Sequence, residues 1–500
     1  MPKSKPKPKL TYLKTLLDDV LPEEELHHGS DGDELATPKG NSEVKPGSKT
    51  AHGNNNSASK SQEIEEKLPP VLQEIETTGF LLNNEVLEKR IAYFTKHKED
   101  LRIELVNEFD KMKNLKPETV LTRGRNRGRQ LIDLGLDSTD FDNDNEVIAT
   151  LNRIPGVSVT SRSKVTLLDL ADKKPEASKI CELLIAMNHC DAMIHNHGER
   201  WREKAVDGYL YPKHKPERTA TGRLASDFQQ WQRPERIPDV PELREMLSPK
   251  PGMTFVYTDF SQIEVRIAAH ESKDAWLLGI LNSGEDVHAK IIADTLCKEP
   301  EEFLTAYKDA EHPKHEQALD VRSKHKGATF IIIYGATARG MAETLGISTK
   351  KAEEIITKFF SKATALRDYA AAKSKEAVET NQVTTPRGFN RKFDPEVLTA
   401  KQIARRGMNT PIQSGCADLL KLSMIYMREE FRKPPFSDQE PAALLANSMH
   451  DEVIAQTPPE HAELVKERMA DALRRAVDEL FPGIAWDFLK EIKISEKWLK

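Results

Sequence analysis

Two acidic positions, far apart in the sequence, have the chemistry to bind metal ions. Asp259 begins the run Asp-Phe-Ser-Gln-Ile-Glu-Val-Arg, and the pair Asp451-Glu452 follows His450 far downstream. Mg²⁺ prefers hard oxygen ligands and needs only one or two protein carboxylates, because it retains waters and substrate phosphates. Two such ions can stabilise the attacking and leaving oxygens of a phosphoryl transfer. Taken singly, each position is better explained as a strand-end cap or a plain hairpin turn.

A helical stripe between these positions supplies groups for a nucleotide. Basic and then aromatic side chains recur at every fourth position: Arg322, Lys326, Phe330 and Tyr334. Steps of four residues turn about 400°, so the stripe occupies one broad helix face about 18 Å long. Its cationic half suits phosphates and its aromatic half suits a base, although an amphipathic helix with core aromatics has the same pattern. Because Ile331–Ile333 supply a separate apolar face, the stripe favours nucleotidyl transfer on a nucleic-acid template.

The elements that must position these residues are short strands and long helices. Thr254–Thr258 follows a Pro-Gly turn and is typical of a short strand. Leu444–Gln456 predicts two apolar strands folded about the His-Asp-Glu tip. Helical spacing dominates from Glu264 to about Thr380. Gly335 is expected to end or bend the helix that carries the stripe.

The bulk composition limits the class of protein. The 500 residues carry a formal net charge of −6, so attraction to phosphates must come from local basic patches. No CxxC spacing relates the four cysteines, Cys181, Cys190, Cys297 and Cys416, which is typical of a reducing compartment. No apolar stretch approaches the roughly 20 residues that span a bilayer, and the N-terminus lacks the apolar core of a secretory signal. We expect a cytoplasmic protein of a bacterium or a phage-infected host, with nuclear or organellar residence left open by the basic start.

Two basic segments stand outside the apolar pattern. Residues 1–65 are rich in Lys, Pro, Gly, Ser and Asn, so they bury too little surface to offset their ordering entropy, and a disordered basic and polar tail is expected. Residues 121–129 interleave four arginines with glycines. A solvated loop and a contact with a duplex backbone explain this second segment equally well.

Three motifs resemble the signature of the family A DNA polymerases, the group of bacterial DNA polymerase I. The motifs are Asp259–Arg266, similar to the family's D-Y-S-Q-I-E-L-R, the stripe Arg322–Gly335, and His-Asp-Glu-Val at 450–453. Supporting matches are Thr-Ala-Thr-Gly-Arg-Leu at 219–224, Gly284-x-Asp286-x-His288, and Arg405-x₃-Asn409-x-Pro411-x-Gln413. They occur in the family's order and span about residue 66 to the end. Phe260 replaces the usual Tyr, and residues 226–234 depart from the family's D-P-N-L-Q-N-I-P-like stretch.

The resemblance implies a role for each position. The implied ligands of two Mg²⁺ ions, for which Mn²⁺ can substitute, are Asp259, the carbonyl of Phe260 and Asp451, with Glu452 close by in a lesser catalytic role. The residues implied to bind the dNTP are Arg322, Lys326, Phe330, Tyr334, His288, Glu264 and Gln262. Of these, Lys326 would also protonate the leaving pyrophosphate, Glu264 would exclude a ribose 2′-hydroxyl, and Phe330 would discriminate against dideoxynucleotides. The residues implied to contact the primer–template, reading minor-groove acceptors, are Arg223, Arg405, Asn409, Gln413 and His450.

The resemblance also implies an α+β right-hand polymerase fold, helix-rich, with an antiparallel palm sheet and helical fingers and thumb. After the tail, the expected boundaries are 66–225 for the thumb and its preceding helical region, 226–285 and 405–500 for the palm, and 286–404 for the fingers.

The expected function is template-directed DNA synthesis in replication or repair, by two-metal-ion transfer of dNTPs to a primer 3′-OH. Since residues 1–65 are too short for the exonuclease domain of many relatives, no intrinsic proofreading is expected, and a separate exonuclease or processivity factor is left open as a partner. The protein is expected to be a monomer that binds DNA and no membrane. Two alternatives are a single-subunit RNA polymerase, disfavoured by Glu264, and a nucleic-acid-binding scaffold with a decayed palm, disfavoured by the intact Asp259 and Asp451.

Overall fold

A computed structural model describes the chain from Ser59 to Trp498 with gaps. The described residues are 59–112, 115, 140–215, 219–228, 237, 239–260, 262–297, 299–333, 335, 337–345, 347–449, 451–484, 486 and 488–498, and their side chains are described except at 324–331, 343, 344, 488 and 489. Several predictions lie outside the described residues: most of the tail, the basic segment 121–129, Tyr334, His450, and the side chains of Lys326 and Phe330.

Helices are the predominant elements. They are α1 (Lys60–Lys67), α2 (Pro69–Thr78), α3 (Asn84–Asp110), α4 (Asp144–Leu151), α5 (Lys164–Lys173), α6 (Ser178–Asp191), α7 (Arg200–Lys204), α8 (Ile263–Ser272), α9 (Ala275–Asn282), α10 (Val287–Leu296), α11 (Pro300–Lys308), α12 (His315–Ile333), α13 (Ala338–Leu345), α14 (Thr349–Lys362), α15 (Thr364–Thr380), α16 (Ala400–Glu430), α17 (Ala462–Leu480) and α18 (Phe488–Glu491). A π-helical segment, Ala192–Glu199, joins α6 to α7, and 3₁₀ turns lie at Pro175–Ala177, Leu243–Met246 and Pro459–His461. Gly335, with φ of 69°, follows the end of α12, as its predicted helix-ending role requires.

The strands are short. They are β1 (Phe80–Leu82), β2 (Tyr209–Leu210), β3 (His214–Lys215), β4 (Ala225–Ser226), β5 (Leu247–Ser248), β6 (Thr254–Asp259), β7 (Gln382–Thr384), β8 (Asn390–Lys392), β9 (Leu444–Met449), β10 (Glu452–Thr457) and β11 (Lys493–Ser495). The largest sheet has the order β11-β6-β10-β9, and the smaller ones pair β2-β1-β5, β3-β4 and β7-β8, all antiparallel. The predicted strand at 254–258 and the predicted hairpin at 444–456 are confirmed, each extended by one residue.

The β11-β6-β10-β9 sheet is buried on both faces. Successive side chains of a strand point to opposite faces. Val256 and Val453 accordingly join the main core, whereas Tyr257 and Ile454 join a second core that contains Trp498. A one-residue slip would exchange these two sets, so burial on both faces fixes the register of β6 against β10.

The last residues of the expected tail are helical. The side chain of Ser59 accepts a hydrogen bond from the Gln62 amide and caps α1, and Ile64 is buried in the main core. The Ser61 hydroxyl donates to Asp418 of α16 at 2.8 Å. The structure therefore removes residues 60–65 from the expected tail, because the Ser59 cap, the burial of Ile64 and the hydrogen bond from Ser61 to Asp418 help to order this short helix on α16.

The region expected to form the thumb has a hydrophobic core of its own. Helices α3 and α6 pack against each other there through side chains such as Phe94, Leu105 and Met187. The expected boundary between residues 404 and 405 falls inside the continuous helix α16. Among the described residues, no helix combines the length and apolar character needed to cross a membrane.

Candidate active site

The sheet register brings Asp259 and Asp451 to the same end of two neighbouring strands. Asp259 is the last residue of β6, and its Cα pairs with that of Glu452, the first residue of β10. The Phe260 amide donates to the Asp451 carbonyl oxygen at 2.9 Å, which extends the pairing by one step. Both aspartates are partly exposed. Two carboxylates of remote sequence positions thus lie on adjacent backbones beside solvent, as a shared metal site requires.

The backbone at Gln262, shortly after Asp259, is strained. Gln262 has φ of 58° and ψ of 31°, a left-handed conformation that non-glycine residues rarely adopt, and it immediately precedes α8. Phe260 fixes the end of β6 in the core, since its ring is buried there and meets the Trp486 ring edge-on, with 5.7 Å between the ring centres. Backbone strain of this kind costs on the order of 1 kcal/mol or more and is concentrated at functional sites. The strain therefore singles out the predicted nucleotide-binding residue Gln262.

Glu264 and Arg223 form an ion pair that joins two predicted subsites. The Arg223 Nη2 atom lies 3.0 Å from Glu264 Oε1, and the glutamate side chain is only 9% exposed. Arg223 follows Gly222, whose φ of 79° requires the left-handed conformation and whose Cα faces the Phe389 ring of the β7–β8 hairpin. The pair places the predicted sugar-selecting carboxylate against a predicted primer–template cation.

A cavity of about 160 Å³ opens beside this ion pair. Its lining residues are Thr219, Arg223, Leu224, Cys416, Ala417, Leu420, Ser448 and Asp451. The cavity therefore connects a predicted metal ligand with a predicted primer–template residue. Burial raises the pKa of the Cys416 thiol well above its ordinary value, so this cysteine is a neutral lining group and not a nucleophile.

The predicted triphosphate-binding Arg322 is held by Asp286. The Arg322 guanidinium lies 2.6 Å and 3.3 Å from the two Asp286 oxygens. Asp286 also caps α10 by accepting from the Ala289 amide at 2.7 Å, and accepts from the Tyr307 hydroxyl at 3.3 Å. Burial alone would raise the pKa of Asp286, but the hydrogen bonds from Arg322 and Ala289 outweigh it and lower that pKa. His288, the second residue of the same helix, is fully buried.

The residues predicted to contact the primer–template lie along one face of α16. Arg405, Asn409 and Gln413 are spaced by four residues, so their side chains follow one another along the helix. The side-chain oxygen of Asn409 is buried and accepts no hydrogen bond from the described residues. Gly335 approaches Met408 and Arg405 so closely that an added Cβ would overlap Met408. The end of the stripe helix α12 therefore lies against the primer–template face of α16.

Glu452 is enclosed by Arg244 and Trp498. Both Glu452 oxygens accept from Arg244 Nη1, at 3.0 Å and 3.2 Å, and Oε1 also accepts from the Trp498 indole at 2.8 Å. The Arg244 guanidinium lies 4.1 Å from the centre of the Trp498 ring. The three residues are 2%, 3% and 0% exposed, respectively for Glu452, Arg244 and Trp498. These contacts favour a positioning role for Glu452, next to Asp451, over direct contact with the reacting atoms.

Sequence reasoning missed Arg244 and the contact that Asp286 makes with Arg322. Arg244 follows Leu243 and precedes Glu245 and Met246, and nothing in the sequence identifies its buried partner as Glu452. The motif that contains Asp286 gives no sign in the sequence of a contact with Arg322. Across the described residues, no group of three or more His, Cys, Asp or Glu side chains is arranged to hold a metal ion.

Comparisons with known proteins agree with the geometry. The model of a family described as DNA polymerase family A matches residues 155–499. The chain is 30% identical over 305 residues to DNA polymerase I of Aquifex aeolicus (strain VF5), covering 60% of this chain and 48% of that protein. It is 26% identical over 445 residues to DNA polymerase I of Chloroflexus aurantiacus (strain ATCC 29366 / DSM 635 / J-10-fl), covering 87% of this chain and 42% of that protein. The chain spans less than half the length of these two relatives.

A solved structure shows the same fold. The POL domain of Pol1 from M. smegmatis, in complex with DNA primer-template and dNTP, matches with a TM-score of 0.67 at 19% identity, covering 87% of this chain and 70% of that chain. This similarity confirms the predicted α+β right-hand polymerase fold, with its antiparallel sheet and its many helices. Since the family model covers well over half of the residues, the chain belongs to DNA polymerase family A.

Proposed function

We propose that this protein catalyses template-directed DNA synthesis, adding dNTPs to a primer 3′-OH. The observation that carries the proposal is the convergence of Asp259 and Asp451 at one end of the sheet, beside a cavity that Arg223 also lines. The relatives named DNA polymerase I and the neighbour bound to DNA primer-template and dNTP support the same reaction.

The donor set fits divalent metal ions. Asp259 and Asp451 offer carboxylate oxygens on adjacent strands, and the Phe260 carbonyl follows directly after the first of them. Two Mg²⁺ ions at this place, or Mn²⁺ in their stead, would lower the barrier by stabilising the attacking and leaving oxygens. The protein's own contribution is to hold both carboxylates in place through the register of β6 against β10.

The fingers residues bind the triphosphate in this proposal. Arg322 offers a guanidinium that now donates to the Asp286 carboxylate, and a phosphate has similar acceptor geometry. His288 lies on α10 next to Asp286, and Lys326, Phe330 and Tyr334 follow Arg322 at helical spacing. Lys326 is proposed to donate the proton that the leaving pyrophosphate takes up. Phe330 and Tyr334 are proposed to stack on the base and sugar.

The primer–template is proposed to lie across the palm. The proposed contacts are Arg223, at the cavity, Arg405, Asn409 and Gln413, along α16, and His450, next to Asp451 in the chain. Minor-groove acceptors are common to all base pairs, so such contacts check the shape of a pair without reading its sequence. We propose that the protein has no proofreading activity of its own and that it acts in DNA replication or repair. A separate exonuclease or processivity factor is a possible partner in that role.

A primer-extension assay tests the proposal. Purified protein is incubated with a labelled primer annealed to a longer template, all dNTPs and Mg²⁺, with EDTA, and with NTPs in place of dNTPs. We expect extension that needs template, dNTPs and metal, and no shortening of a mismatched primer in the absence of dNTPs. Extension by NTPs alone would indicate an RNA polymerase, and DNA binding without any extension would indicate a scaffold. Metal-dependent removal of the mismatched terminus would contradict the absence of proofreading.

Substitution of Glu264 is expected to relax sugar selectivity. Glu264→Ala removes the buried side chain beside Arg223 and opens space for a 2′-hydroxyl. Ribonucleotide incorporation relative to deoxyribonucleotide should rise by about 10²-fold, a typical discrimination for a contact of this size. Single-nucleotide insertion kinetics with dCTP and CTP would measure it.

Glu264→Gln is the matched control for this prediction. Glutamine keeps the volume of the side chain but loses the charge that pairs with Arg223. If bulk excludes the hydroxyl, Glu264→Gln should retain the selectivity that Glu264→Ala loses. Equal selectivity in the wild type and Glu264→Ala would remove Glu264 from the sugar pocket.

A further inference from the structure

Two arginines near the primer–template face have no carboxylate partner among the residues that the structure describes. Arg391 of β8 and Arg406 of α16 are both half-buried, and neither makes an ion pair with the described residues. Arg391 Nη1 donates to the Thr410 hydroxyl at 3.1 Å, and that hydroxyl donates to the Arg406 carbonyl oxygen at 2.6 Å. The Phe393 ring lies under the guanidinium, 5.2 Å away. The Arg391 side chain is therefore held in one orientation by neutral contacts.

Burial of two cations together is unfavourable unless an anion joins them. Burial, and then the charge of Arg406, lower the pKa of Arg391 to about 10. Two other arginines of comparable or deeper burial have carboxylates at hydrogen-bond distance: Arg387 has Glu271 at 2.6 Å and Arg432 has Glu74 at 2.6 Å. A cation taken from water without a counter-charge destabilises the folded protein in general. The pair has the electrostatics of a site for an anion.

The β7–β8 hairpin places this pair among the predicted primer–template residues. At its turn, the Phe389 ring packs against Gly222, the neighbour of Arg223. On β8, Arg391 donates a hydrogen bond to Thr410, which is the sequence neighbour of Asn409. Arg406 directly follows Arg405 in the sequence. The predicted triphosphate-binding residues lie elsewhere, on α10 and α12. The location therefore favours a nucleic-acid backbone phosphate over the phosphates of a nucleotide.

We propose that Arg391 and Arg406 together bind one backbone phosphate of the DNA substrate, and so extend the primer–template contact onto the β7–β8 hairpin. This inference rests on the proposed function, because it takes DNA as the substrate. Two guanidinium groups offer several donors to one phosphate, and Thr410 and Phe393 fix the plane of the first. Such a contact adds affinity and fixes the register of the duplex, but carries no sequence preference.

Equilibrium DNA binding tests the proposal. Arg391→Gln, Arg406→Gln and the double variant are titrated with a fluorescent primer–template at several salt concentrations, with anisotropy as the readout. Each single variant should weaken binding about tenfold at low salt, as loss of a charged hydrogen bond implies. The double variant should lower the slope of log Kd against log salt by about 0.9, the value for one phosphate contact. Arg406→Lys, which keeps the charge, should keep the slope.

Arg367→Gln is the matched control. It removes one arginine charge from α15, where Arg367 is exposed and paired with Asp368 at 2.9 Å, and it should leave Kd and salt slope unchanged. Thermal unfolding separates binding from a structural role, because Arg391→Gln relieves repulsion and should not lower Tm. A lowered Tm with unchanged DNA affinity would overturn the proposal.

The dNTP affinity of the variants shows whether the bound phosphate belongs to the DNA backbone or to the nucleotide. It is measured from the concentration dependence of single-nucleotide insertion with the DNA in excess of its Kd. We expect it to be unchanged in the Arg391 and Arg406 variants. A weaker dNTP affinity with unchanged DNA affinity would assign the pair to the nucleotide and overturn the proposal. If the wild type extends primers while all variants bind DNA equally, this inference fails alone, whereas a wild type that neither binds DNA nor extends primers refutes the proposed function itself.

Discussion

Asp451→Asn is expected to reduce primer extension by at least about 10³-fold, since loss of a metal-binding carboxylate removes several kcal/mol of transition-state stabilisation and each 1.36 kcal/mol is a factor of ten. Asn keeps the shape of the side chain. The Asp451 carbonyl that accepts from Phe260 belongs to the backbone and is unaffected. Rapid-quench measurement of one nucleotide insertion at saturating dNTP would report the rate, and anisotropy would show that the variant still binds DNA.

Asp259→Asn should have an effect of similar size, and the double variant should be little slower than either single one. The effects of substituting residues that act as one unit on the rate are not additive, because removal of one residue already disables the unit. Asp438→Asn is a suitable control, since Asp438 is exposed and pairs with Arg432 at 2.8 Å away from the catalytic end of the sheet. Insertion by Asp451→Asn at the wild-type rate would disprove the metal role of this carboxylate.

The sequence predicts the strands of the site well because their signals are local. Thr254–Asp259 and the hairpin around Asp451 are apolar runs bounded by turns, and both formed within one residue of the expected bounds. The convergence of their ends is not local. It depends on the pairing of β6 with β10, two strands that are separated in the sequence by a long and mainly helical segment. Only the family resemblance implied this pairing.

Side-chain partners were the least predictable part of the site. The pairing of Arg223 with Glu264, and of Arg322 with Asp286, requires contacts between segments of unknown relative position. A sequence shows which charged residues are present but not which oppositely charged residue each one contacts, because many different pairings are compatible with the same sequence. The short helix α1 was missed for a related reason, since its order comes from packing on α16 and not from its own polar sequence.

The largest effect expected outside the metal ligands follows from the buried group of Glu452, Arg244 and Trp498. Arg244 lies in the 3₁₀ turn Leu243–Met246 and Trp498 follows β11, so the group ties two remote segments to the strand that begins beside Asp451. Arg244→Met leaves a carboxylate buried without its cation. We expect the free energy of unfolding to fall by about 3–5 kcal/mol, as for other broken buried pairs. Urea denaturation monitored by tryptophan fluorescence would measure it.

The double variant Arg244→Met/Glu452→Gln distinguishes positioning from stability alone. It replaces the ion pair by neutral groups, so much of the lost stability should return. The insertion rate should stay about 10- to 100-fold below the wild type, the range for partners that orient metal-binding residues. Glu74→Gln is the matched control, because Glu74 is also buried and pairs with an arginine, Arg432, at 2.6 Å. Glu74 accepts a hydrogen bond from the Leu445 amide of β9, at the end of that strand farther from Asp451. That control should lose stability and keep its rate. If rate and stability return together in the double variant, Glu452 is a structural residue and does not position Asp451.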